Sequence, residues 1–388
     1  MTNEGKYLIQ VIADFLNERK SNSPTEINWN MFITLAGKHQ IGGIVFYQCG
    51  DFMPADIHSV MEKQYLTSVY YYANRQADID HLDPLLKEAD VPYFIVKGIV
   101  VSRYYPVPEL RTMGDTDIIV HVEDRPKARD IMLKAGFEIE SISKNEWHLV
   151  HRKLPYELHD HLLYDEGMND QKFKDFFNDC WKYVDHNQLD PSFHFLFLLI
   201  HLRKHLMGWG VGFRQFMDVA AMAKNEKNLN WKWIREKLEE LQLMTFASMC
   251  FAMINRWFDL SLPDAAENLE DSFYKEATDS ILSNGIFGFD NLENSANITV
   301  NDIRKKPVTR MTIYMNALRR IFPSYKQMSQ WSQYHYLDGR PYLLPFAQVH
   351  RIFHVLTHFS EKKQNLNGYF PSEAEVQKRK DYLDQWGL

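Results

Sequence analysis

The sequence predicts an α+β protein: a small mixed-sheet α/β domain embedded between helical N-terminal and C-terminal regions. Three observations lead there. Apolar residues recur at helical spacing up to about residue 88, short apolar runs broken by glycine turns fill 89–165, and helical spacing returns over 166–388. The expected regions are therefore 1–88, 89–165 and 166–388.

In the first region, Tyr7 to Leu16 has helical periodicity, and a second helix starts after Asn28 with Trp29, Phe32, Ile33 and Leu35 facing inward. Gly42-Gly43 interrupts the pattern. From Ile57 to Leu82 neither proline nor glycine occurs, and Pro84 then kinks the helix or opens a new turn. Tyr70, Tyr71 and Tyr72 point in different directions around such a helix, and core packing explains them better than base stacking.

The central region is organised around VPYFIVKGIVVSRYYPVPELRTMGDTDIIV, residues 91–120. Val91 to Val96 reads as a strand ending at Lys97-Gly98, where glycine permits a sharp turn and close approach to a ligand. A second strand begins around Gly114-Asp115-Thr116-Asp117 and runs into Ile118-Ile119-Val120. Alternation along it points Asp115 and Asp117 the same way, with Cα atoms about 6.6 Å apart. Two carboxylates on one face of a buried strand repel unless a cation lies between them, and hard divalent ions take such oxygen ligands. An isolated Asp-x-Asp fits a turn cap and a solvated strand end as well. A helix from Glu123 or Asp124 through Leu133 follows, with Pro126 in its first turn. Short strands are expected at Phe137–Ile142, Trp147–His151 and Tyr156–His159.

The strand, Lys-Gly turn, preceding Arg111 and Gly-Asp-x-Asp together resemble the nucleotidyltransferase superfamily related to DNA polymerase beta. More narrowly, the chain is similar to a bacterial family of nucleotidyltransferase-like proteins of unassigned acceptor. The similarity extends loosely over most of the chain, through Trp29–Tyr47, Ala128–Phe137, the segment HLRKHLMGWGVGFRQFMDVA from His201 and LLPFAQVHRIF from Leu343. It implies metal-dependent transfer of a nucleoside monophosphate from an NTP such as ATP. Asp115, Asp117 and a third acid, Glu157, would serve as catalytic and metal-binding residues for Mg2+ or Mn2+. Lys97, Gly98, Arg111 and Gly114 would bind phosphate, and His159, His201, His205 and Arg214 would be substrate contacts. The acceptor would be a small molecule, a sugar or a protein. Gly98-Ile99 departs from the Gly-Ser or Gly-Gly of many members, removing a hydroxyl from the phosphate turn. A non-catalytic nucleotide-binding or regulatory module, or a metal-dependent phosphohydrolase, would use similar groups.

In the last region, Asp190-Pro191-Ser192 starts a helix over Phe193–Leu206. His201 and His205 stand at i and i+4, which favours a hydrogen-bonded or packed pair over zinc, because HLRKH lacks the glutamate of a peptidase helix. Gly208-Trp209-Gly210-Val211-Gly212 fits a close helix crossing better than a phosphate cradle. Arg214 and Asp218 are expected to pair at i,i+4. Asn284 to Asn301 reads as a loop, and the basic residues between Arg304 and Arg320 as a solvated helix face.

Composition narrows the partners. With 45% apolar and 24% charged residues the chain is globular, and a net charge of -7 argues against a nucleic-acid backbone as main partner. Cys49, Cys180 and Cys250 have no zinc spacing, and the polar start MTNEGKYLIQ does not resemble a signal peptide. The longest apolar run, Phe195 to Ile200, is far below the roughly 20 residues that span a bilayer. A cytoplasmic protein with reduced thiols and no membrane span is expected.

Overall fold

The computed structural model describes the whole chain except residues 144–145, 165–170, 209, 287–290, 304–305, 330 and 358–369. Two compact units are present: 1–206 with 210–287 and 387, and 207–209 with 288–386 and 388.

The first unit begins with helices α1 (Asn3–Leu16), α2 (Trp29–Lys38), α3 (Gly42–Cys49) and α4 (Ala55–Glu88). Thr2 and Asn28 cap α1 and α2 by accepting from the Gly5 and Met31 amides. α4 continues past Pro84 to Glu88, so the proline does not end the helix. Of the three tyrosines on α4, which point in different directions as expected, Tyr70 and Tyr71 are exposed and Tyr72 is half-buried, so core packing does not account for the first two.

Five strands form the sheet: β1 (Tyr93–Val96), β2 (Asp117–Val120), β3 (Glu138–Ile142), β4 (Glu146–His151) and β5 (Leu154–His159). Their order is β1-β2-β5-β4-β3, with β2 and β5 parallel and every other pairing antiparallel, so the sheet is mixed as expected. The turn helix α5 (Gly98–Ser102) follows β1, and α6 (Arg125–Lys134) follows β2. Period-two alternation divides the sheet. Tyr93, Ile118, Val120, Tyr156 and Leu158 join Leu82 and Leu86 of α4 and Ala128 and Met132 of α6 in one apolar core. The interleaved residues, Asp117 and Glu157 among them, are left for the opposite face.

Helices α7 (Gln171–Asn178), α8 (Pro191–Met207), α9 (Phe213–Asn225), α10 (Trp231–Glu240), α11 (Met244–Phe258) and α12 (Asp271–Asn284) follow, with a two-stranded ribbon, β6 (Val184–Asp185) and β7 (Gln188–Leu189). Gly212 precedes α9, and a Cβ there would come within 2.6 Å of Ile286 Cγ2, so glycine serves close packing at this point. Trp209 lies outside the described residues. Cys49, Cys180 and Cys250 are buried and free.

The second unit contains α13 (Asn291–Ile303), α14 (Arg310–Ile321), α15 (Tyr325–Met328), α16 (Leu344–Thr357) and α17 (Glu373–Gln385), with a small core of Met328, Tyr334, Leu337 and Ala347. α13 corrects the loop expected over 284–301, of which 287–290 lie outside the described residues. Ala296, Val300 and Ile303 are buried at helical spacing, an apolar stripe that outweighs the turn-favouring asparagines. The basic residues 304–305 also fall outside the described residues. No helix is long and apolar enough to cross a membrane, among the described residues.

Candidate active site

The candidate site lies at the end of the sheet where β2 and β5 run side by side. Asp117 is in register with Val96 across the antiparallel pair and with Glu157 across the parallel pair. Residues in register on neighbouring strands share a face, so β2 and β5 bring the two acids together from 40 positions apart. His159, two residues beyond Glu157, shares that face. Its Nε2 lies 3.1 Å from Glu157 Oε2 and 3.4 Å from Asp117 Oδ1. One ligand atom from each of Asp117, Glu157 and His159 falls within 4.8 Å of the others, a spacing that a single metal ion can bridge.

Lys97 ends β1 with φ +56°, the left-handed region that a residue bearing a Cβ adopts at a cost of about 1–3 kcal/mol. This turn carries Nζ to 2.7 Å from Asp117 Oδ1. The Lys97 amide donates to His194 Nε2 on α8 at 3.0 Å, which fixes His194 as an acceptor and therefore neutral. Gly98 follows; a Cβ there would sit 3.5 Å from the Asp115 carbonyl oxygen and 3.7 Å from Arg111 Nη1, so the turn packs directly on the acid-bearing loop.

Asp115 precedes β2, correcting the expectation that both aspartates belong to the strand. Arg75 of α4 clamps this loop: it donates from Nη2 to the Gly114 carbonyl at 2.7 Å and from Nη1 to Thr116 Oγ1 at 2.6 Å and the Pro155 carbonyl at 3.2 Å. One buried guanidinium thus ties the start of β2 to β5.

The electrostatics follow from three acids sharing two cations. Burial raises the Asp115 carboxyl and the Asp117 charge raises it further. Burial also opposes the Asp117 charge, but Lys97 and His159 outweigh it and hold Asp117 well below the usual carboxylate range. Glu157 is lowered as well: burial resists, and the His159 hydrogen bond prevails. His148 Nδ1 lies 3.3 Å from Glu157 Oε1 on the other side. His159 is pushed up to about 9, burial being outweighed by its bonds to Asp117 and Glu157.

Arg111, expected at phosphate, is instead a buried anchor. It donates from Nε to Asp218 Oδ1 at 3.0 Å and from Nη2 to Oδ2 at 2.6 Å, and Tyr105 donates to Oδ1 at 2.6 Å. The expected Arg214–Asp218 pair is therefore not formed. Arg214 donates to Gln40 Oε1 and the Thr112 carbonyl, because the more deeply placed Arg111 presents a two-pronged match to Asp218. His205 and His201 meet at 3.1 Å through their Nε2 atoms as a hydrogen-bonded pair.

A cavity of about 130 Å³ opens over the acids, lined by Lys97, Asp117, Glu157 and His159 together with Tyr164, His201 and Lys204. His201 thus reaches the site, while His205 and Arg214 do not line it. A second cavity of about 460 Å³ lies beside the Arg111–Met113 loop, bounded by Gln40, Lys63, Gln64, Tyr71 and Tyr72. The sequence reading missed Arg75, His148 and the roles of His194 and Asp218. Only for His148 was there a local signal, since alternation along Trp147–His151 sets it opposite Glu157.

A short mixed sheet with carboxylates meeting across its parallel pair, beside a strand–Lys-Gly–helix turn, defines a nucleotidyltransferase-like α+β protein. The chain belongs to an uncharacterised nucleotidyltransferase family, whose sequence profile matches residues 25–259, more than half of its length. No curated protein and no solved structure matches it. Membership of that family supports transferase activity and implies an NTP substrate.

Proposed function

We propose that the protein transfers a nucleoside monophosphate from an NTP to a hydroxyl of a small molecule, sugar or protein, using Asp115, Asp117 and Glu157 around Mg2+ or Mn2+. The observation that carries this reading is the Asp117–Glu157 register, which joins two acids of different strands in one buried, cavity-lining cluster. The oxygen-rich donor set fits a divalent cation. When bound, the ion supplies charge neutralisation for the triphosphate and its displaced pyrophosphate.

The chain's own groups do the rest. Lys97 Nζ, now on Asp117 at the cavity wall, is the cation placed to meet an incoming phosphate oxygen, with the backbone amide of Gly98 beside it in sequence. Glu157, held as a carboxylate between His148 and His159, either completes the metal's ligands or accepts the proton of the acceptor hydroxyl as that oxygen attacks the α-phosphorus. The bond from that phosphorus to the α–β bridging oxygen breaks, and pyrophosphate leaves. The second cavity, with tyrosine faces and glutamine amides, suits a hydroxylated acceptor better than a polynucleotide.

Two features favour the rival reading of a nucleotide-binding module without catalysis: Ile99 stands where a phosphate-binding hydroxyl would be, and Lys97 already occupies Asp117. Incubation of the full chain with Mg2+, α-labelled NTPs and a metabolite and protein extract separates the two. Labelled acceptor with release of pyrophosphate supports transfer, and stoichiometric NTP binding without release supports the module. The Asp115→Asn, Asp117→Asn double variant should lose metal-dependent NTP binding; full retention would overturn the site.

A further inference from the structure

The sequence Glu157-Leu158-His159 puts a carboxylate and an imidazole on one face of β5, against the carboxylate of Asp117 on β2. A strand ending this way would ordinarily turn its histidine toward solvent. Instead the His159 ring is 6% exposed, and its Nε2 is directed between the two acids, at 3.1 and 3.4 Å. Its other nitrogen, Nδ1, is buried and has no hydrogen-bond partner among the described residues. The ring is therefore not held by a bond on its outer side. Its one polar engagement is with the atoms that would also face a metal.

We propose that His159 is itself a metal ligand, and that Asp117, Glu157 and His159 form a mixed oxygen–nitrogen site that selects Mn2+ over Mg2+. This rests on the reading that the acid cluster binds a divalent cation, and adds which ion and through which atoms. The chemistry of the donors decides it. Mg2+ demands near-octahedral oxygen coordination and keeps several waters, whereas an imidazole nitrogen is a borderline donor suited to first-row transition ions. An all-carboxylate site would draw its third oxygen from Asp115, but Asp115 lies ahead of β2 and outside the group of ligand atoms that meet within 4.8 Å. The ligand atoms of Asp117, Glu157 and His159 come from two adjacent, hydrogen-bonded strands, so their spacing is set by backbone pairing rather than by loop conformation.

Electron spin-echo measurements on Mn2+ bound to the full-length wild-type protein test this without any substitution, because a coordinated imidazole gives a nitrogen modulation. Expected are that modulation, its loss in His159→Ala, and a fall in Mn2+ affinity of at least roughly tenfold, against less than about threefold for Mg2+ measured by competition. Circular dichroism and a thermal melt of His159→Ala and His159→Gln check that both remain folded. Bound Mn2+ without nitrogen modulation, modulation persisting in His159→Ala, or equal losses for both ions would overturn the inference while leaving the acid site standing. Unchanged Mn2+ affinity in the Asp117→Asn, Glu157→Gln double variant would instead sink the underlying reading.

Discussion

Two buried charge clusters lie on either side of the Lys97-Gly98 turn, and they are built differently. In one, Arg111 and Asp218 match two prongs to two oxygens and Tyr105 adds a third bond, so both carboxylate oxygens are satisfied and the pair is closed on itself. In the other, Asp117 and Glu157 share Lys97 and His159 at the wall of a cavity, and the Asp115 carboxylate adds its charge from the adjoining loop. The first pairs its charges two prongs to two oxygens and is buried, although Arg111 borders the second cavity; the second has surplus acid facing an opening. A closed pair holds a scaffold together, whereas an unbalanced, accessible cluster is where an external cation finds its ligands.

The sharpest way to break this comparison is to remove one acid from each cluster. Asp218→Ala strands the Arg111 guanidinium in the interior and should destabilise the first unit by about 3–5 kcal/mol. Asp117→Asn keeps the side chain's shape and leaves Lys97 and His159 beside Glu157 and Asp115, so the loss should be the smaller of the two, about 1–3 kcal/mol. Urea denaturation of both variants measures the difference. Equal losses would mean that the two clusters serve the same structural purpose.

Histidines of the two kinds respond to pH with opposite signs. His39 and His194 are buried neutral, depressed to about 4 and about 3 chiefly by burial. Their contribution is complete above the unfolded value near 6.5 and is lost as pH falls below it, at about 1.4 kcal/mol per pH unit each. These two histidines alone should therefore lower stability by about 2 kcal/mol between pH 6.5 and 5.5, because at pH 6.5 the unfolded imidazole is only half protonated. His159, raised to about 9, behaves in reverse: its contribution is complete below about 6.5 and fades as pH rises toward 9. Denaturation curves across pH should have a shallower acid limb in His194→Leu, with the His39 share remaining, and lose the alkaline limb in His159→Gln. A next, smaller effect belongs to His194 at neutral pH. His194→Leu leaves the Lys97 amide without its acceptor and should destabilise by about 1–3 kcal/mol, read by urea denaturation at pH 7.5.

What the sequence revealed follows the same division. Alternation along β5 is a local property, so Glu157 and His159 on one face, and the mixed sheet itself, were legible. The pairing of Arg111 with Asp218 was not, because it spans 107 positions and competes with a local i,i+4 rule that favours Arg214. His194 was equally hidden, since its partner is a backbone amide 97 residues away, exposed by the left-handed turn at Lys97. The helix over Asn291–Ile303 was obscured by its asparagines, whose turn preference is a local bias that burial of Ala296, Val300 and Ile303 overrides.

The smallest expected effect calibrates the rest. Arg19 and Asp259 form an ion pair at 2.7 Å, as short as Lys97–Asp117, but their side chains are 45% and 71% exposed. Water screens both charges and two mobile side chains must be held in one geometry, so Asp259→Asn should change stability by less than about 1 kcal/mol and less still in high salt. The same substitution type at Asp218 keeps the shape of the side chain and removes only the charge, which makes the two variants directly comparable. If Asp259→Asn matched Asp218→Asn in denaturation, distance alone would set the strength of these pairs. The contrast between closed and open clusters, which depends on burial and on balance of charge, would then have no physical basis.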